Sequence, residues 1–117
     1  MITIRAAKYL WDVQRAGQRI IRFTSGRTYD DYIADDMLHS AVERQFEIIG
    51  EALVQLRRRT PDVVALIPDL PQIIGFRNVL AHNYDGVDYE EVWNTVVDDL
   101  PRLLEVVGDL LRQAPEP

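Results

Sequence analysis

A chain of 117 residues with 47% hydrophobic content is long enough to bury one core, too short for two, and too apolar for disorder. Its net charge of −6, with 13 basic residues against 19 acidic ones, argues against a protein that coats nucleic acid by neutralising many phosphates, yet leaves room for a local basic site. The absence of cysteine excludes a disulfide framework, a thiolate metal site and a cysteine nucleophile.

No apolar run reaches the length of a membrane span, and the first residues lack the regions of a signal peptide, so a cytoplasmic location without membrane contact is expected. Lys8 is the one lysine; the other basic residues are arginines. Arginine suits bidentate phosphate contacts, although a GC-rich genome produces the same bias.

The pattern is helical throughout, with no convincing strand. A first helix is predicted from about Thr3 to Thr24, with Ile4, Ala7, Trp11, Ile20 and Ile21 mostly on one side and Ser25-Gly26 ending it. Thr28 and Asp31 have the spacing of a capping box for a short turn. A second long helix is predicted from Asp35 or Asp36 to Arg59, with a seam of Leu38, Ala41, Val42, Gln45, Ile48, Ile49, Ala52, Leu53 and Leu56. Thr60-Pro61 stops it.

Residues Pro61 to Leu70 read as a connector with room for one helical turn. Pro71 suits the first turn of a third helix, ending near Tyr84 to Gly86. A fourth begins at Asp88 as N-cap, with Glu91 completing a capping box and Val87 stapling onto Val92. Trp93, Val96, Val97, Leu100, Leu104, Val107 and Leu111 form its expected apolar face, and Pro101 should kink or divide it. The expected fold is all-α, an antiparallel bundle of four main helices plus short helical turns. Residues 1–113 form the domain and 114–117 a short tail.

The third helix carries Arg77-Asn78-Val79-Leu80-Ala81-His82-Asn83-Tyr84, which gathers a guanidinium, an imidazole and a phenol in a chain with two histidines. A phosphate-binding arginine and a proton-moving histidine are the minimum kit for metal-free phosphodiester chemistry. On an ideal helix Arg77 and Tyr84 nearly share a face, as do Asn78 and His82, whereas Arg77 and His82 are separated by roughly 140°. A long side chain or a loosened helix end must bring that pair together, and Asn83, Asp85 and Gly86 suit such an end. Cleavage of RNA by its own 2′-hydroxyl needs a base, an acid and positive charge on the phosphate. One chain offers one motif histidine; a two-fold dimer that juxtaposes two motifs offers two. The plain alternative is that Arg77 pairs with a carboxylate and His82 caps or packs a helix end.

Other groups have plainer readings. His39 reads as a surface or dimer-rim residue. Glu47 and Glu51 lie four apart and are either a carboxylate pair for metal or acid–base work or a solvated face with arginine partners. Arg57, Arg58 and Arg59 complement the negative end of a helix dipole. Arg15, Arg19 and Arg22 form a stripe that is either a phosphate track or an ordinary exposed face. Trp11 and Trp93 read as core or interface anchors. With two histidines and no cysteine, a structural zinc site is not expected, and no cofactor is implied.

The segment Ala41 to Ala52 (AVERQFEIIGEA), the Arg77–Tyr84 block, the run Gly86-Val87-Asp88-Tyr89-Glu90-Glu91-Val92-Trp93 and the Asp99-Leu100-Pro101 step together resemble HepT-like proteins of the HEPN superfamily. The resemblance spans most of the chain in family order, and its segments are specific in combination. It implies a helical bundle that dimerises and acts as the ribonuclease toxin of a toxin–antitoxin pair. The implied partner is a minimal nucleotidyltransferase antitoxin that adenylylates the motif tyrosine. Arg77 and His82 would then be catalytic, Asn78 an auxiliary polar group, Tyr84 the modified residue, and Glu51 a residue lining the cleft. Asn83 stands where glycine is common, which touches local turn geometry more than activity. A second function fits the acidic composition: a non-catalytic helical dimer that presents Tyr84 or a nucleotide to the nucleotidyltransferase.

Overall fold

The computed structural model describes residues 2–67 and 88–114. Helix α1 spans Ile4–Thr24 and is capped by Thr3, whose hydroxyl accepts from the Ala6 N–H at 3.0 Å. Its buried stripe is Ala6, Ala7, Leu10, Val13, Ala16, Gly17, Ile20 and Thr24. Two expected seam residues are misplaced by the sequence: Ile4 is 68% and Ile21 40% exposed. The physical reason is that the seam runs through small residues, Ala16 and Gly17, which let a neighbour approach closely. A Cβ on Gly17 would sit 2.5 Å from Leu104 Cδ2. Gly26, at φ +73°, supplies the left-handed turn after α1.

Helix α2, Tyr29–Ala34, forms the capping box in full, with Asp31 accepting from the Thr28 N–H at 2.9 Å and Thr28 from the Asp31 N–H at 3.1 Å. The Thr28 backbone bond is the main reason that the Asp31 carboxyl lies below its usual range. Helix α3, Asp36–Arg59, is capped by Asp35, which accepts from Leu38 at 3.1 Å. At its far end the Thr60 hydroxyl donates to the Leu56 carbonyl at 2.9 Å, and Pro61 opens the one-turn helix α4, Pro61–Val64.

After the segment that carries the motif, Asp88 accepts from the Glu91 N–H at 3.2 Å and starts α5, Tyr89–Asn94. A π-helical segment, Thr95–Asp99, leads into α6, Leu100–Arg112. Pro101 explains this division. It has no N–H for the Val97 carbonyl and its ring crowds that turn, so the ladder widens just before it. The Leu100 N–H accordingly reaches back five residues to the Thr95 carbonyl. The widening also shifts the faces: Val97 is 55% exposed, while Val92, Val96, Leu100, Leu103, Val107 and Leu110 are buried.

The chain is an all-α bundle, and among the described residues there is no strand. Helix α1 lies between α3 and α6 and makes its broadest contact with α3. Val42, Ile49, Leu53 and Leu56 of α3 meet Leu10, Val13 and Ile20 of α1 in one continuous core. No described helix is long and apolar enough to cross a membrane.

Candidate functional site

Of the residues the sequence nominates, Arg77, Asn78, His82 and Tyr84 lie outside the described residues, as do the third helix and the Val87 staple. What the structure supplies is the frame on either side of them. Upstream, Val63, Val64 and Ile67 are buried in the core just past Thr60, which closes the C-terminal end of α3. Downstream, the Tyr89 ring packs on His39, in the first turns of α3, with centroids 4.5 Å apart. The two flanks of the motif segment are therefore fixed at opposite ends of the same helix. Three residues separate Tyr84 from the cap at Asp88.

The downstream anchor corrects the sequence reading of His39. It is not a surface residue: it is 9% exposed, held among Tyr32, Tyr89 and the acids of its own helix. Asp36 Oδ1 lies 3.2 Å from Nε2, and Glu43 Oε2 lies 3.4 Å from Nδ1, the latter without hydrogen-bond geometry. The acids at i−3 and i+4 gave a signal for such a pairing; its burial comes from Tyr32 and Tyr89, distant in sequence. Tyr32 is fully buried and tilted against Trp93 at 5.4 Å. Burial, with smaller contributions from Glu43 and Tyr89, drives its phenol well above the usual range, so it stays neutral.

Burial also raises the Glu43 carboxyl above its ordinary 4.5, outweighing His39, which pulls the other way. The folded chain thus keeps that proton to higher pH than the unfolded chain does. The stabilisation linked to it is complete below about pH 4.5 and is lost as pH rises through the folded value. Glu43→Gln removes this dependence. The melting temperature of the variant relative to wild type is expected to climb as pH is raised from 4.5 towards 7. A difference that stays flat, or falls, contradicts the burial of this carboxyl.

The second nominated feature, the Glu47/Glu51 pair, lies on the α1–α3 side. Glu47 pairs with Arg44 at 3.2 Å, and Glu51 accepts from Gln55 at 3.2 Å. Both acids line a groove of about 230 Å³ with Tyr9, Asp12 and Ala52. Among the described residues no three metal-ligating side chains converge. Trp11 and Trp93 are half-buried against the core. Arg57, Arg58 and Arg59 occupy the last turn of α3.

The described residues form a capped, proline-divided all-α bundle, and the sequence places the Arg-x4-His-x-Tyr block between its two anchored flanks. A family model described as Ribonuclease HepT-like matches residues 13–110, which include that block. "Probable ribonuclease HepT" of Thermococcus cleftensis is 36% identical over 97 residues, covering 81% of this chain and 86% of that protein. "Putative RNase MJ1380" of Methanocaldococcus jannaschii is 34% identical over 101 residues, or 85% and 90% of the two chains. "Putative RNase TTE0752" of Caldanaerobacter subterraneus is 30% identical over 105 residues, 90% and 93%. No solved structure gives a significant match. The chain belongs to the HepT-like ribonuclease family.

Proposed function

We propose that this protein is a metal-independent endoribonuclease that acts as the toxin of a toxin–antitoxin pair. The observation that carries the proposal is the Arg77/His82 pair inside the stretch matched by a ribonuclease family. In the reaction, the 2′-hydroxyl of RNA loses its proton to one imidazole and attacks the adjacent phosphorus. The bond to the 5′-oxygen breaks as that oxygen takes a proton from a second imidazole, leaving a 2′,3′-cyclic phosphate. Arg77 neutralises the charge that builds on the phosphoryl oxygens, and Asn78 adds a neutral donor. Because each chain carries one motif histidine, the working unit is a homodimer with two motifs facing one phosphate. Glu51 lines the approach to that cleft.

Tyr84 is the regulatory handle. A minimal nucleotidyltransferase antitoxin joins its phenolic oxygen to the α-phosphorus of ATP and releases pyrophosphate. The added phosphate satisfies Arg77 and fills the space meant for RNA. Support comes from the position of Tyr84, two residues past His82 and, on an ideal helix, nearly on the face of Arg77. Tyr84→Phe keeps the ring and removes the nucleophile. Co-expressed with the nucleotidyltransferase, the wild type should gain one AMP by intact mass and lose cleavage. Tyr84→Phe should stay active and unmodified; an AMP-sized increment on the variant overturns the assignment.

A further inference from the structure

Beside the Glu47/Glu51 groove lies an open concavity of about 530 Å³ lined by Ile4, Arg5, Lys8, Tyr9 and Arg59. We propose that Arg5, Lys8 and Arg59, grouped around the Tyr9 ring, form a subsite for the sugar–phosphate backbone of single-stranded RNA, a proposal that rests on the ribonuclease reading above. Three cations and no carboxylate line this concavity, in a chain whose net charge is −6. Four arginines elsewhere pair with acids, Arg27 with Asp35, Arg44 with Glu47, Arg102 with Asp99 and Arg112 with Asp109, while Arg15, Arg19, Arg22, Arg57 and Arg58 show no such pair among the described residues. Among the described residues, none of Arg5, Lys8 and Arg59 has such a partner. Arg5 stands in the first turn of α1, which holds no acid and where a cation opposes the helix dipole. Local electrostatics therefore do not explain its place, whereas an anionic ligand does.

The charges come from two helices. Arg5 and Lys8 project from the start of α1 and Arg59 from the end of α3, and the antiparallel packing of the two helices brings them together. Tyr9 is half-buried and fixed against the core, and it borders both the concavity and the acidic groove. An aromatic ring held among cations offers a surface for an unpaired base to stack on while the cations take its phosphates. An open concavity suits a polymer that runs on past it.

The test is fluorescence anisotropy with a short single-stranded 2′-O-methyl oligoribonucleotide, which cannot be cleaved through its 2′-oxygen. The triple change Arg5→Gln/Lys8→Gln/Arg59→Gln is compared with Arg15→Gln/Arg19→Gln/Arg22→Gln, which removes the same charge further along α1, where Arg15 and Arg22 are exposed and Arg19 is partly exposed. The first set should weaken binding roughly ten-fold or more and flatten the salt dependence by about 2 in log–log slope, at roughly 0.7 per phosphate contact. The second set should change affinity by less than about three-fold. Tyr9→Leu, which keeps an apolar side chain, should also weaken binding. Equal losses in the two triple variants would make affinity a matter of net charge and overturn the proposal, as would competition by polyglutamate as strong as that by RNA. With the unmodified oligoribonucleotide incubated alongside, a wild type that binds but does not cleave overturns the ribonuclease reading and leaves the subsite standing; one that cleaves, with binding indifferent to the first set, does the reverse.

Discussion

Arg77→Ala and His82→Ala should each reduce RNA cleavage by on the order of 10²–10⁴ while leaving helical content and assembly unchanged. Arg77 is asked to stabilise charge that exists fully only on the pentacoordinate phosphate, so its loss should lower kcat more than it raises KM. His82 is asked to move a proton, so its loss should also flatten the pH–rate profile near neutrality. Neither effect is expected of an arginine that pairs with a carboxylate or of a histidine that caps a helix. Those roles would show instead as a lower melting temperature at full activity.

Leu53→Ala should destabilise the fold by about 2–5 kcal/mol, a drop of roughly 10 °C or more in Tm. Leu53 is fully buried in the α3 face that meets α1, where the neighbouring residues Ile49 and Leu56 are equally enclosed. A truncated side chain there leaves a cavity that two long, capped helices cannot easily collapse around. Val97→Ala is the matching control. At 55% exposed, on the outer side of the π segment, it should stay within about 0.5 kcal/mol of wild type. Both melts belong at one protein concentration, because association shifts Tm by mass action. If the two variants lose similar stability, the faces assigned to α3 and to the π segment are wrong.

Features that depend on a few adjacent residues were legible in the sequence. The Thr28/Asp31 box, the Asp88 cap, the end of α1 at Ser25-Gly26 and the division at Pro101 each follow from local hydrogen bonding or a missing N–H. Faces were only partly legible. Tracing bulky apolar residues put Ile4 and Ile21 inside, because hydrophobicity alone does not mark Ala16 and Gly17 as the contact that lets helices close. His39 was misread for a related reason: its burial is imposed by Tyr32 and Tyr89, whose proximity no local pattern announces. The motif stands in the sequence as a combination of residue types; it lies within the stretch that the family model matches and outside the described residues. The basic concavity was not legible, since Arg5, Lys8 and Arg59 come together only when α1 and α3 pack.

The most direct measurement is the chemistry of the new RNA 3′ ends formed by the wild-type protein in excess EDTA. A composite site of two His82 imidazoles and two Arg77 guanidinia should cut at an undiminished rate and leave 2′,3′-cyclic phosphates. Loss of cutting in EDTA, restored by a divalent cation and leaving 3′-hydroxyl ends, would contradict the metal-free mechanism and move the chemistry to carboxylates such as Glu47 and Glu51.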